Sequence, residues 1–353
     1  MPLKQALLTA ARASGLSILA RKATGSQLRI LAYHGLWVTP GYQFGNRTFI
    51  SPEQFEARMI RLKQSGLPVL PLGDAVDRLA RGSLPEAAVA ITIDDGWAST
   101  FTHMLPVLEA LNLPATLYAT TWYSGRELPV VGLAVHYLRA ASGRSDIECG
   151  AIIAQIEALP VERRLDALRR FGAGLGVDEA WLSLRQFHIM SADELTEASR
   201  RGLDIQLHTH RHIDVNRKID SLALEVTENR DFLRSAIGNY HFAHFCYPSG
   251  ATHERAAALL AANGVQSATV DQTGLNAPGA DCYALRRLLD GRSVSDAEFD
   301  AYLSGILHYT DSLRALMTRK PREAGFRVSP AREPELATGR SGRPVRRRQV
   351  ATR

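Results

Sequence analysis

Two clusters of ionisable residues dominate the chemistry this chain could perform: Asp94-Asp95-Gly96, and His208-Thr209-His210-Arg211-His212. Each directly follows a short apolar run, Ala88-Val89-Ala90-Ile91-Thr92-Ile93 in one case and Leu203-Asp204-Ile205-Gln206-Leu207 in the other. Such runs read as buried β-strands, so both clusters fall at the carboxyl end of a strand, where α/β proteins place their chemistry. One carboxylate with His208 and His212, four apart so that a single turn brings them together, makes a three-ligand set with room for water. That is the pattern of a divalent-metal hydrolase. Either cluster alone is also what a turn uses, because Asp tolerates left-handed backbone and Gly permits a reversal. Their coincidence singles out the metal reading, since one cluster supplies the ligand type the other lacks.

The elements that must position these clusters alternate along the chain. Strands are expected at residues 28–33, 89–93, 115–120, 203–207, 243–247 and 267–270, and a last one within Leu285-Arg286-Arg287-Leu288. Helices are expected between them, one opening at Ser51-Pro52-Glu53 with Ser51 as its cap, others at 100–111, 192–200, 219–237, 253–263 and 296–308. About seven strand–helix units joined by right-handed crossovers imply a parallel sheet closing into a barrel. Residues 122–187 break the rhythm with helical patterns and few strands, and are expected to form an insertion over the barrel mouth.

The segments Ile91-Thr92-Ile93-Asp94-Asp95-Gly96 and His208-Thr209-His210-Arg211-His212 resemble the first two motifs of the polysaccharide deacetylases, the NodB-homology or carbohydrate esterase 4 family. Phe245-Cys246-Tyr247-Pro248-Ser249-Gly250 is similar to a third motif in one branch of that family. Leu31-Ala32-Tyr33-His34-Gly35, Phe49-Ile50-Ser51-Pro52-Glu53-Gln54-Phe55 and Met190-Ser191-Ala192-Asp193-Glu194-Leu195 are also similar, and the resemblance spans residues 28 to 310. It implies a distorted (β/α)7-type barrel occupying residues 28–318, after an amphipathic helix at 1–27 and before a disordered basic tail at 319–353. It further implies Asp94 as general base and Asp95, His208 and His212 as ligands of one divalent ion. Zn²⁺ is the first expectation, with Co²⁺, Ni²⁺ and Mn²⁺ also suited to those ligands.

The backbone N–H of Tyr247 is expected to meet a developing oxyanion, as the resemblance implies for its motif. The family takes a proton donor from a Leu-x-His motif; Ile306-Leu307-His308 departs from that pattern, and His308 is the residue assigned to it. The family's base-orienting Arg is absent from the third motif, and for Arg286 and Arg287 both replacing it and pairing with surface acids are open. His210 is expected beside the ligands rather than among them, Thr209 is expected to steady their loop, and core packing and substrate contact are both open for His34.

A chain of 353 residues with 45% hydrophobic and 22% charged residues can bury a full core. The net charge of +6 does not point to nucleic acid. From Arg319 onwards eleven cations face three acids, a net +8, so the rest of the chain carries −2. Only Phe326 is interleaved with the cations of that tail, and its Pro, Gly, Ser and Arg bury too little to order it. Three cysteines, Cys149, Cys246 and Cys282, suggest no disulfide framework and fit a reducing compartment. No run of 18 apolar residues occurs, and Arg12 splits the first apolar stretch below the length of a signal peptide core. The expectation is a cytoplasmic bacterial enzyme with no nucleic-acid or protein partner, and its first helix leaves two readings open, contact with an anionic membrane at the inner face or packing on the domain's own edge. Its expected substrate is an N-acetylated sugar in a polysaccharide, such as an exopolysaccharide, in an oligosaccharide or in a lipid-linked precursor. A carbohydrate-binding barrel without turnover and an amidohydrolase of non-sugar amides are the alternatives.

Overall fold

The computed structural model describes Leu8 and residues 14–39, 48–238 and 240–308. The expected basic tail, and most of the residues before position 14, lie outside that range. The order along the chain is helix α1 (Leu16–Ala23), strand β1 (Arg29–Tyr33), helices α2 (Pro52–Gln64) and α3 (Leu72–Ala80), strand β2 (Val89–Asp95), helix α4 (Leu105–Ala110) and strand β3 (Thr116–Ala119). Four helices follow, α5 (Val131–Ala141), α6 (Cys149–Glu157), α7 (Val161–Gly174) and α8 (Ala180–Ser183). Then come α9 (Ala192–Arg200), β4 (Asp204–Leu207), α10 (Leu222–Ile237), β5 (His244–Cys246), α11 (Ala256–Ala262), β6 (Ser267–Val270), β7 (Leu285–Arg286), β8 (Leu288–Leu289) and α12 (Asp296–Ser304).

All strands pair in parallel in the order β7-β6-β5-β4-β3-β2-β1-β8. The two outermost are halves of one stretch broken at Arg287: β7 pairs with β6, and β8 pairs with β1 through Leu31↔Leu288 and Ala32↔Leu289. That stretch closes the ring, so the barrel is the seven-unit type expected. Its weakest seam is β4–β5, joined only at Leu207↔Phe245.

Period-2 alternation sorts the strand residues into two layers. Val89, Ile91 and Ile93 pack outward among the helices, while Ala88 and Ala90 join Ile30, Tyr118 and Cys246 in a cluster capped by Leu72, Ala75 and Leu79 of α3. Helix α2 starts as the sequence predicts, with the Ser51 hydroxyl accepting from the Gln54 N–H and Pro52 at its first position. The helix expected at 100–111 instead opens with a π-helical turn, Thr100–Met104, before α4. Pro106 supplies a reason, since its missing N–H removes one bond from the regular ladder.

Helices α5 to α8 form a second apolar cluster in which Trp181, Phe187, Val135 and Leu138 pack with Trp37, Phe49 and Trp97 from the barrel loops. Buried Gln186 clasps the two together. Its carbonyl accepts from the N–H groups of Val38 and Thr39, and its amide donates to Leu36 O. No described helix is long and apolar enough to cross a membrane.

Candidate active site

Thr92 and Asp94 continue the inward side of β2, so Asp94 enters the barrel mouth directly. Alternation alone would send Asp95 to the helix side; its φ of +73° turns the chain back, and Gly96 follows at +87°. The same device recurs at Thr209 (+61°), His212 (+53°) and Ser249 (+55°). Three of the seven described non-glycine residues with positive φ, Asp95, His212 and Ser249, therefore line one cavity, with Thr209 beneath it in the histidine loop, a backbone strain that the neighbouring structure must hold.

That cavity, about 630 Å³, is lined by Asp94, Asp95, His208, His212, His34, Arg211, Ser249 and Asp271, with Trp97, Phe49, Tyr123 and Ile189 among its apolar walls. Asp95 Oδ1 lies 3.2 Å from Nε2 of both His208 and His212, and its Oδ2 accepts from the Trp97 indole at 2.8 Å. One donor atom from each of the three residues falls within 4.8 Å of the others. His208 donates from Nδ1 to Cys246 O at 2.8 Å, which fixes its ring with Nε2 towards Asp95. Burial favours the neutral acid of Asp95, but hydrogen bonds from His208 and His212 outweigh it and hold the carboxyl well below the usual range. Burial opposes the charged form of His208, and the Asp95 hydrogen bond with both carboxylates overcomes it to raise the imidazole's pKa.

Asp94 is 2% exposed and lies against Arg287, whose Nη1 donates to Oδ1 at 2.6 Å. The other arm of the guanidinium reaches Asp271. Burial pushes the Asp94 carboxyl upward, and the charges of Arg287 and His34 more than reverse that, so its pKa lies below the ordinary value. Oδ2 faces His34 Nε2 at 3.6 Å, and His34 Nδ1 is buried without a partner among the described residues. Gly35 beside it permits the close approach, because a Cβ there would meet Phe49 at 2.7 Å and Trp97 at 3.0 Å.

Two expectations change. The Tyr247 N–H donates to Thr269 O at 3.2 Å, and the ring packs edge-on against Phe245 in the outer core, so this residue has no N–H to offer an oxyanion. The β5–β6 contact consumes the group that the sequence left open. His308 lines a separate hollow with Leu275, Leu288 and Tyr302, beside Gly305, which abuts Thr24 and Arg29 at the amino end of β1. The barrel keeps it from the cavity; His34 is the imidazole that reaches Asp94. Of the two arginines, Arg287 turns inward and Arg286 outward, as alternation at that stretch requires.

Other expectations meet the structure more directly. Thr209 Oγ1 accepts from the Ile213 N–H, and His210 Nδ1 bonds Thr121 Oγ1 at 2.8 Å while its carbonyl accepts from the N–H groups of Thr121 and Trp122. Sequence reasoning missed Asn229, fully buried on α10. Its carbonyl accepts from the His208 N–H and its amide donates to Ala119 O and Thr121 Oγ1, tying the histidine loop to β3. A polar residue on the apolar side of a long helix was the only signal available.

A family model described as polysaccharide deacetylase matches residues 81–268, more than half the chain, and the protein therefore belongs to the polysaccharide deacetylase family of hydrolases. YxkH of Bacillus subtilis (strain 168), assigned to the same kind of protein, is 19% identical over 282 residues, 80% of this chain and 77% of its own length. Among solved structures, IcaB of Ammonifex degensii superposes with a TM-score of 0.56 at 21% identity, covering 79% of this chain and 98% of that one. The deacetylase PplD of Streptococcus pyogenes, solved in complex with acetate, gives 0.55 at 17% identity, covering 80% and 98%. These likenesses establish the shared barrel, and the family membership makes the protein a polysaccharide deacetylase.

Proposed function

We propose that the protein is a metal-dependent N-deacetylase that removes N-acetyl groups from an N-acetylated glycan and releases acetate. The observation that carries this reading is the meeting of Asp95, His208 and His212 with Asp94 and His34 in one cavity. The donor set fits a divalent cation: one carboxylate and two imidazoles, the His208 tautomer fixed by Cys246 O and the second Asp95 oxygen steadied by Trp97. Asp95 Oδ1 and the Nε2 atoms of the two histidines would hold it, and zinc is the first choice among Zn²⁺, Co²⁺, Ni²⁺ and Mn²⁺. When bound, such an ion acidifies water and polarises an acyl oxygen.

The chain's own residues do the rest. Asp94 stays ionised beside Arg287, which occupies Oδ1 and leaves Oδ2 to accept a proton from water in the cavity. His34, whose Nε2 lies 3.6 Å from Oδ2, is the imidazole placed to pass a proton to the departing amine. Trp97, Phe49 and Tyr123 give the cavity an apolar wall against which a sugar ring can pack away from water.

The test is calorimetric titration of Zn²⁺ and Co²⁺ into metal-stripped protein and its His208→Ala variant, beside an assay of acetate release from N-acetylglucosamine oligomers. One equivalent bound by the parent and none by the variant, with release that follows metal loading, is expected. Binding indifferent to His208, or a loaded protein that releases no acetate, would sink the reading.

A further inference from the structure

We propose that helix α1 is a docking element that lays its outer face on an anionic phospholipid surface. The contact is independent of the chemistry in the catalytic cavity, so it stands or falls apart from the deacetylase reading.

A helix that only covers its own domain turns its apolar stripe inward. Helix α1 does the opposite. It lies against α12, and the side it turns to the domain is small and polar. Ser17 lines a hollow with Ala297, Asp300 and Ala301, Ala20 is buried, and the Thr24 hydroxyl donates to Ala20 O and accepts from Arg29. Leu16, Ile18 and Leu19 point away from it and are 50%, 63% and 63% exposed. With Lys22 and Ala23, also exposed, they occupy one arc of about 160° on the helix. Six large apolar side chains are exposed among the described residues, and three of them fall within these four positions. Single exposed leucines are ordinary, whereas a cluster on one helical face that the domain leaves open marks a contact surface.

Charge selects the occupant. Lys22 stands within the apolar arc, Arg21 lies on its flank, and the helix contains no acid. The sequence places six cations and no acid before Glu53, namely Lys4, Arg12, Arg21, Lys22, Arg29 and Arg47. The acids of α12 nearest Ser17, Asp296 and Asp300, are paired with Arg58 and Arg61. Bulky apolar side chains with cations on the same face suit the boundary of an anionic bilayer: the apolar groups enter it, and the long cationic side chains reach the head groups while their stems stay with the leucines. A second copy of the chain, paired face to face about a two-fold axis, would instead bring two copies of Lys22 into one apolar contact. The helix ends at the amino end of the barrel, where Thr24 meets Arg29, so docking through it leaves the catalytic mouth at the carboxyl end open to a glycan.

The experiment is co-sedimentation of the full chain with vesicles of phosphatidylcholine alone and of phosphatidylcholine mixed with phosphatidylglycerol. The parent should bind the anionic vesicles about tenfold or more tightly than the neutral ones, and less tightly as salt is raised. Ile18→Ser combined with Leu19→Ser changes two exposed positions that the fold does not need, and should lower the anionic affinity about tenfold or more. Lys22→Glu should lower it about fivefold or more. The serine pair keeps every cation, so the basic residues from Arg319 onward, acting alone, would bind it as tightly as the parent. That result, equal binding to both kinds of vesicle, or no binding at all would overturn the proposal. Sedimentation velocity without lipid tests the other occupant. The serine pair should leave the sedimentation coefficient unchanged, and a dimer that it dissociates would assign the face to a second copy instead.

Discussion

The two ends of the barrel each bury an arginine completely, and they use it in opposite ways. At the amino end, Arg29 donates to the carbonyls of Leu303, Thr24 and Gln27 and to the Thr24 hydroxyl. Those neutral oxygens stitch α12 and the end of α1 to β1. Burial, with the charge of Arg21 adding to it, lowers the Arg29 pKa to about 10. At the carboxyl end, Arg287 is just as buried but lies between the carboxylates of Asp94 and Asp271. Burial opposes its charge there too, and the Asp94 carboxylate overcomes it to raise the pKa well above the ordinary value. A buried cation answered by dipoles holds structure together; one answered by carboxylates also fixes the ionisation and direction of a base.

That contrast can be broken from either side. The largest expected effect is at the base itself: Asp94→Asn should lower turnover by about 10²–10⁴-fold while leaving stoichiometric zinc binding intact, read by acetate release beside calorimetry. Turnover at the parent's level would show that Asp94 is not the base. Arg287→Met should cost about 10–100-fold in turnover, as loss of an orienting partner does, and about 3–5 kcal/mol of stability, because it leaves buried Asp94 without its closest cation. Denaturant unfolding checks the second figure. Arg29→Met should separate the two ends, losing about 1–3 kcal/mol of stability through unanswered carbonyls with turnover per folded molecule unchanged. A change in turnover there would mean that the amino end does more than hold helices.

At neutral pH the smallest effect, growing only in acid, concerns the border between barrel and insertion. Burial lowers His188 from the ordinary 6.5 to about 4, so between those values the unfolded chain binds a proton that the folded one does not. The stability contributed by the neutral ring is therefore complete above pH 6.5 and is lost as pH falls towards 4, by up to about 1.4 kcal/mol per pH unit. His188→Gln should flatten that part of the stability profile, and an unchanged slope would place the titration elsewhere.

What the sequence by itself determined is local. An apolar run followed by Asp94-Asp95-Gly96 or by His208 to His212 specifies a buried strand and what stands at its end, because period and turn chemistry act within a few residues. Seven such units imply a closed sheet, and alternation in Leu285-Arg286-Arg287-Leu288 already requires one arginine to point inward. The same strand-end signal was present at Tyr33-His34-Gly35, where it left packing and contact equally open. Only the tertiary structure decided which groups meet. Ring closure brings Arg287 to Asp94 from 193 residues away and His34 to the same carboxylate. It also places His308 beside α12 and spends the Tyr247 N–H on β6. Those outcomes depend on how strands are wound round a common axis and on which hydrogen-bonding groups the neighbouring strand consumes. Neither is encoded within reach of the residue concerned, so a motif can name the ligands of a site while the fold chooses the residues that make them work.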